Sequence, residues 1–176
     1  DFMSRKFLWC IFIVLFIFTA TACSSKNNMV KSSLNSYIDA WTKGNYDLMY
    51  SKMNKESKYA IGKKDFISRY NNIYSGIGAK NINIKIDSSS NIKYEDGVEK
   101  VPIKVSMDTA AGKLDFSNNI SLKKEKDNGK TDWKVVWSPS NIFPDLKEGD
   151  KVRIDTVQGK RGTIYDRNGS PIAEDG

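Results

Sequence analysis

The residue types that most often carry out protein chemistry are scarce in this chain. None of its 176 residues is histidine, and the two cysteines are Cys10 and Cys23. Without histidine there is no Ser-His-Asp or Cys-His catalytic arrangement and no histidine-ligated metal. Both cysteines lie in the first 23 residues, so the remainder has no thiol for a disulfide or a zinc site. We predict no catalytic residue, no metal site and no cofactor.

Carboxylates are the remaining candidates for acid–base chemistry. A substrate pocket with a general base would need a buried carboxylate at the reacting centre. Asp39 and Asp47 are the nearest candidates in the helical part of the chain. Both fit the solvated face of a helix better than a pocket, so we assign neither a catalytic role.

Three amphipathic helices are predicted in the first half of the chain. Gly44 ends the first helix and Asn45 is placed to cap the second, shorter one. A loop follows, and then a third helix that ends at Gly76 and Gly78. The apolar stripes are Val30, Leu34, Tyr37, Ile38 and Trp41; Tyr46, Met49, Tyr50 and Met53; and Phe66, Ile67, Tyr70, Ile73 and Tyr74.

From residue 82 the apolar period changes from 3.6 to 2, which predicts antiparallel strands with one apolar face. Turn sequences at Asp96-Gly97, Ala111-Gly112 and 127–129 separate the strands, and we interpret a Ser-rich break before Ile92 as a bulge. The alternating residues are Ile82, Ile84, Ile86, Ile92 and Tyr94; Val101, Ile103, Val105 and Met107; Leu114, Phe116, Ile120 and Leu122; and Trp133, Val135 and Trp137.

These elements predict an α+β fold, with three helices packed on a curved antiparallel sheet of four or five strands. Their order resembles the cone of the nuclear transport factor 2-like (NTF2-like) fold, which often has a pocket between helices and sheet. Here tyrosine, tryptophan, methionine and isoleucine would line that pocket. Aromatic residues at helical spacing favour a packed core over a ligand site.

The N-terminus has the features of a membrane-targeting segment. Arg5 and Lys6 precede the apolar run Phe7–Phe18, which is short for a spanning helix and typical of a signal sequence. The stretch Ala20–Cys23 resembles a bacterial lipobox, with alanine where a larger aliphatic residue is usual. Cys23 is therefore a lipidation candidate, and an uncleaved signal anchor is the alternative. In both cases we expect the rest of the chain to lie outside the cytoplasmic membrane.

The last residues form a hairpin pattern with a specific motif. A turn at 166–169 separates apolar Ile164-Tyr165 from 171–173, and Asn-Gly supplies the positive φ of a tight hairpin. Together with Arg161-Gly162, this turn resembles the start of the pedestal in class B penicillin-binding proteins of the low-affinity, methicillin-resistance type (the MecA N-terminal domain family). The run WKVVWSPSNIFPDLKEGDKVRI and residues 70–84 carry the same resemblance. The structural motif comprises Arg161, Gly162, Asp166, Arg167, Asn168 and Gly169.

The resemblance implies a non-catalytic, outward-facing module that anchors and spaces a peptidoglycan DD-transpeptidase of a Gram-positive bacterium. It implies four segments: an anchor at 1–23, a tether at 24–29, an NTF2-like domain at 30–138, and a linker with the first pedestal strands at 139–176. The catalytic domain is expected on further polypeptide. Expected partners are the membrane, that missing transpeptidase domain, and peptidoglycan or other wall polymers. The net charge of +7 suits anionic lipids or wall polymers, and it also suits simple solubility. Nucleic acid is not expected.

The serine nucleophile of that family sits in a Ser-x-x-Lys motif that opens a helix. Ser90–Lys93 and Ser121–Lys124 match by letter, and 130–132 lacks the glycine of Lys-Thr-Gly. Because these stretches lie on predicted strands or at a strand break, we interpret the matches as coincidences. The alternative function is a free-standing NTF2-like lipoprotein that binds a small ligand or a wall component.

Overall fold

The computed structural model describes residues 26–127, 129–155, 157, 164–165, 167–168 and 171–173. Within these residues, four helices cover one face of a five-stranded antiparallel sheet, and a separate two-stranded sheet follows. The large sheet is curled into a half-barrel. The predicted α+β architecture is therefore confirmed.

The helices follow one another along the first half of the described chain. They are α1 at 26–42, α2 Tyr46–Ser51, α3 Lys55–Ala60 and α4 Lys63–Gly76. Residues 26–29, which the sequence analysis assigned to a tether, are already helical. Gly44 has a φ of +66° after α1, and the Asn45 side chain accepts a hydrogen bond from the Leu48 N–H at 3.0 Å. The predicted cap is thus confirmed.

The helix α3 lies where the sequence predicted a loop. Its six residues have no apolar stripe, and Ser57 is its buried residue. Buried Asn54 caps it by accepting the Ser57 N–H at 3.1 Å. The Ser57 Oγ in turn accepts the N–H of Trp137 at 2.8 Å, just after the last strand of the large sheet. Capping and tertiary contact, rather than amphipathicity, define this helix.

The large sheet has the order β1-β3-β4-β5, and β2 also pairs with β3. Its strands are β1 Lys80–Ile86, β2 Lys93–Glu95, β3 Val98–Thr109, β4 Gly112–Asp127 and β5 Lys130–Val136. The Ser-rich break is not a bulge, because it joins two strands that pair with different parts of β3. Asp87 closes this loop by donating its N–H to the Pro102 carbonyl at 2.8 Å. An irregularity of register lies instead between Lys80 and Asn83.

The core lies between the helices and the concave face of the sheet. Alternation along β3 buries Val101, Ile103, Val105 and Met107, as predicted, and α4 buries Phe66, Tyr70, Ile73 and Tyr74. Ile82 and Ile86 of β1 are only partly buried because this strand lies at a sheet edge. Tyr94, predicted on the same face, is 68% exposed.

A short 3-10 helix, Pro139–Asn141, follows β5. Residues 142–155 come next and contact α4; we call them the exit segment. Further on, β6 Ile164–Tyr165 pairs antiparallel with β7 Pro171–Ala173, which confirms the predicted hairpin. In the described part of the chain, no helix is both long enough and apolar enough to cross a bilayer. The apolar run Phe7–Phe18 lies outside that part.

Candidate functional site

The interior of the half-barrel is filled by aromatic side chains. Trp41 and Trp137 donate their indole N–H groups to the hydroxyls of Tyr74 and Tyr70, at 2.8 and 3.1 Å. The hydroxyl oxygens of Tyr37 and Tyr70 are 3.5 Å apart. Edge-to-face contacts such as Trp41–Tyr70, at 5.9 Å between ring centroids, complete the packing. The polar tips therefore satisfy one another, and the interior is a core rather than a pocket.

The same burial keeps these phenols protonated. Burial raises the pKa of Tyr37, although its hydrogen bond to Tyr70 offsets part of the rise. Burial likewise raises the pKa values of Tyr70 and Tyr74 well above the ordinary value of 10.0. A neutral phenol that already bonds its neighbours is not a general base near neutral pH. The interior thus offers no base for catalysis among its tyrosines.

The two carboxylates singled out in the sequence lie on the surface. Asp39 pairs with Lys43 at 2.8 Å, and Asp47 pairs with Lys63 at 2.7 Å, with all four side chains more than half exposed. Their predicted place on solvated helix faces is confirmed. Ser90 lies in the loop between β1 and β2, and Ser121 lies within β4. Neither serine opens a helix, so the letter matches to Ser-x-x-Lys lack the geometry of a nucleophile.

The buried carboxylate of this domain is Glu99, which the sequence reasoning missed. Glu99 is 3% exposed and continues the concave-facing series of Val101 and Ile103 on β3. It forms an ion pair with the ammonium group of Lys26 at the start of the described part of α1. Its position could have been predicted, because Glu99 is two residues before Val101 and so lies on the same face of β3 as the apolar residues.

Lys26 is the centre of a small cluster at one end of the sheet. Its Nζ lies 5.0 Å from the ring centroid of Tyr94 and 5.9 Å from that of Trp133. Tyr94 pairs with Glu99 in the sheet register. We call Lys26, Tyr94, Glu99 and Trp133 the entry cluster, because α1 brings the chain into the domain here. The cluster fixes the start of α1 to the sheet by charge and cation–π attraction.

A second ion pair fixes the exit segment. Arg69 on α4 donates to the Glu148 carboxylate and to the Lys147 carbonyl, both at 3.0 Å. Its side chain is 16% exposed, and its planar guanidinium binds two acceptors at once. Asp150 accepts the Lys147 N–H at 2.8 Å and so holds the turn that presents these acceptors. We call this arrangement the Arg69 clamp.

Apolar contacts also hold the exit segment against the domain. Ile142 is fully buried, the Phe143 ring lies 5.5 Å from that of Phe116, and Leu146 packs against the core. Two open grooves flank Arg69. One of about 540 Å³ is lined by α4, residues 60–61, residues 137–139 and Glu148, and one of about 450 Å³ is lined by α4 and residues 149–153. The second groove is the seam between α4 and the exit segment.

The entry cluster and the first part of the exit segment meet the sheet at different positions. The entry cluster is at Glu99, whereas Phe143 contacts Phe116, the partner of Val105. From residue 99 to residue 105 the strand advances roughly 20 Å at about 3.3 Å per residue. The exit segment therefore meets the sheet at a different position along β3 from the entry cluster, and the Arg69 clamp attaches it to α4.

Most residues of the predicted sites lie outside the described residues. These are Cys23, the lipidation candidate, and Arg161, Gly162, Asp166 and Gly169 of the hairpin motif. Arg167 and Asn168 lie in a turn between β6 and β7, and both are exposed. The structural role of the motif and the lipidation of Cys23 stay predictions.

The fold is thus a curled antiparallel sheet covered by helices, with an aromatic core between them and an exit segment attached to α4. Residues 30–150 match the family described as the NTF2-like N-terminal transpeptidase domain. This match spans more than half of the chain, and the chain belongs to that family.

The chain is also similar to penicillin-binding protein 3 of Bacillus subtilis (strain 168). The two are 34% identical over 172 residues, which is 97% of this chain and 26% of that protein. The chain thus spans about a quarter of the length of this relative.

Proposed function

We propose that this chain is the non-catalytic N-terminal anchoring and spacer module of a peptidoglycan DD-transpeptidase. The module would face outward from the cell membrane and hold a transpeptidase domain, carried on further polypeptide, away from the bilayer. Through that domain it would serve cell-wall synthesis and the response to β-lactams. Family membership and similarity to a penicillin-binding protein support this assignment.

The observation that supports the spacer role is that the first described residues and the exit segment are both attached to the domain. Lys26 is paired with Glu99 of β3, and Glu148 of the exit segment is paired with Arg69 of α4. A domain whose incoming and outgoing segments are both attached transmits a fixed distance, which a flexible linker cannot do. The filled interior weighs against the alternative of a free-standing lipoprotein that binds a small ligand in the cone.

Membrane fractionation of cells that produce residues 1–176 tests the anchoring role. We expect the chain in the membrane fraction and accessible to external protease, and a version that begins at residue 24 in the soluble fraction. We also expect no acylation by a fluorescent penicillin. A chain that is released equally in both versions, or that becomes labelled, would contradict the proposal.

The DNA downstream of Gly176 separates the two candidate functions. An in-frame continuation that encodes a helix-opening Ser-x-x-Lys is expected for the spacer. A stop codon at this point in several isolates would favour the free-standing lipoprotein.

A further inference from the structure

We propose that one end of this domain lies directly against an anionic phospholipid surface. We call it the basic face, and it comprises Met29, Lys93, Tyr94, Lys124, Lys126 and Lys130. The inference rests on the anchoring function proposed above and adds the surface and the lipid chemistry. It assigns a second membrane contact in addition to the N-terminal segment.

The position of the basic face follows from the contacts of Lys26. The entry cluster places Lys26 against Glu99 and Tyr94, beside the β2–β3 turn. The β4–β5 hairpin extends beyond this point, since its pairs continue to Asp127 and Lys130. Phe18 ends the apolar run only eight residues before Lys26, a distance of at most about 28 Å in an extended chain. With the apolar run in the bilayer, this end of the domain lies close to the head groups.

The charge of the basic face suits an anionic surface. The acids around it are engaged: Glu95 with Lys100 at 2.7 Å, Asp127 with Lys55 at 3.6 Å, and Glu99 with Lys26. Asp132 on the hairpin pairs with Lys134 at 3.2 Å, and Glu125 accepts the backbone N–H of Lys55 at 3.1 Å. Asp96 in the β2–β3 turn and Glu125 are the acids of this end that have no ion pair among the described residues. At this end of the domain, the exposed lysines that form no ion pair among the described residues are Lys93, Lys124, Lys126 and Lys130. The surplus is positive, and it acts within about one Debye length of the membrane.

Exposed apolar atoms accompany these lysines. Tyr94 is 68% exposed and Met29 is 50% exposed. Tyrosine is favoured at the level of lipid head groups because its ring is apolar and its hydroxyl is polar. Exposed lysines together with exposed amphipathic side chains are the composition of a surface that rests on lipid.

Hydrogen exchange of the full chain in vesicles tests this proposal. Residues 1–176 are reconstituted through their own N-terminal segment into phosphatidylcholine vesicles, or into vesicles with about 30% phosphatidylglycerol. The tether is then the same and only the head group differs. We expect amide exchange at residues 93–97 and 124–130 to slow about threefold or more on the anionic vesicles, and the effect to vanish near 1 M salt.

Charge reversal identifies the lysines. The variant Lys124→Glu/Lys126→Glu/Lys130→Glu is expected to abolish the slowing. The matched control Lys64→Glu/Lys80→Glu/Lys85→Glu changes the net charge equally at exposed lysines elsewhere and is expected to preserve it. Thermal unfolding of both variants checks that the fold is intact.

The outcomes divide cleanly. The proposal is overturned if amide exchange is equal on both vesicle types, or if the slowing survives charge reversal at Lys124, Lys126 and Lys130. It is also overturned if added peptidoglycan fragments, and not anionic lipid, cause the slowing. If the chain fractionates with membranes but shows no slowing, the basic face fails while the anchoring function stands. If the chain is not membrane-bound in cells, the anchoring function fails and the inference fails with it.

Discussion

Arg69 and Glu99 show how single charged residues attach the first described residues and the exit segment to this domain. Glu99 is deeply buried and its partner Lys26 is partly exposed, whereas mostly buried Arg69 binds the exposed carboxylate of Glu148. Exposed ion pairs contribute little by themselves. The Arg69 pair gains from its second acceptor, the Lys147 carbonyl, which fixes backbone as well as charge.

Removal of the Arg69 clamp is expected to loosen the exit segment locally. In Arg69→Ala we expect tryptic cleavage after Lys147, Lys151 and Arg153 to accelerate about threefold to tenfold. The variant lacks the two hydrogen bonds that Arg69 donates to Glu148 and Lys147, so the exit segment opens more often. The cleavage rate of Arg69→Lys should lie between those of Arg69→Ala and the parent, since an ammonium group keeps the charge but lacks the planar guanidinium that binds two acceptors. Mass spectrometry of timed digests gives the rates.

The control for this measurement is Lys43→Ala, which removes an exposed helix pair with Asp39. It should leave cleavage in the exit segment unchanged. If Arg69→Ala and Lys43→Ala digest alike, the clamp does not hold the segment.

At the scale of elements, the segment around α3 protects the last strand of the sheet. Asn54 donates its N–H to the Val135 carbonyl at 2.9 Å, and Val135 donates to the Lys52 carbonyl at 3.0 Å. An uncovered edge strand would present such groups to other chains. The short connection between α2 and α3 thus covers the β5 edge at Val135, and Ser57 extends the attachment to Trp137.

Substitution of Ser57 tests this attachment. In Ser57→Ala the buried N–H of Trp137 loses its acceptor, so we expect the free energy of unfolding to fall by about 1–3 kcal/mol. Urea denaturation followed by tryptophan fluorescence measures it. Ser51→Ala is the matched control, because the exposed Ser51 hydroxyl bonds only the carbonyl of Leu48 in its own helix. Equal losses in the two variants would refute a special role for Ser57.

The whole molecule is stabilised by an aromatic core that contains ionisable phenols. Tyr37, Tyr70 and Tyr74 have raised pKa values in the folded state because burial disfavours the phenolate. The unfolded chain releases these protons near pH 10, whereas the folded chain retains them. Their contribution to stability is therefore complete below pH 10 and declines as the pH rises above it.

We expect alkaline unfolding with a steep pH dependence. Above about pH 10 each retained proton lowers the free energy of unfolding by up to about 1.4 kcal/mol per pH unit. Tyr37→Phe removes one of these protons, so the slope of the free energy of unfolding against pH should become shallower by the contribution of one proton. Burial lowers the pKa of Lys58, so this residue makes the free energy of unfolding rise with pH. Its contribution is the same in parent and variant and does not affect their difference. Urea titrations between about pH 9 and pH 11.5 give the slopes, and identical slopes for parent and variant would contradict the assignment.

Local sequence determined the elements whose pattern repeats. Period-2 alternation placed β3, β4 and β5, and the Gly44-Asn45 pair set the boundary between α1 and α2. The absence of histidine, which excludes whole classes of catalysis, also needs no structure. These features follow from neighbours in the chain, because backbone preference and side-chain periodicity act over a few residues.

Only the tertiary structure decided the remaining features. Helix α3 depends on a contact between Ser57 and Trp137, 80 residues apart, and the clamp joins Arg69 to Glu148, 79 residues apart. The strand pattern placed Glu99 on the concave face, but its burial depends on α1 covering that end of the sheet. Tyr94 has the parity of a core residue and is exposed, because three-residue β2 lies at a sheet edge. Burial and charge pairing between distant segments are properties of the folded chain, and no local pattern encodes them.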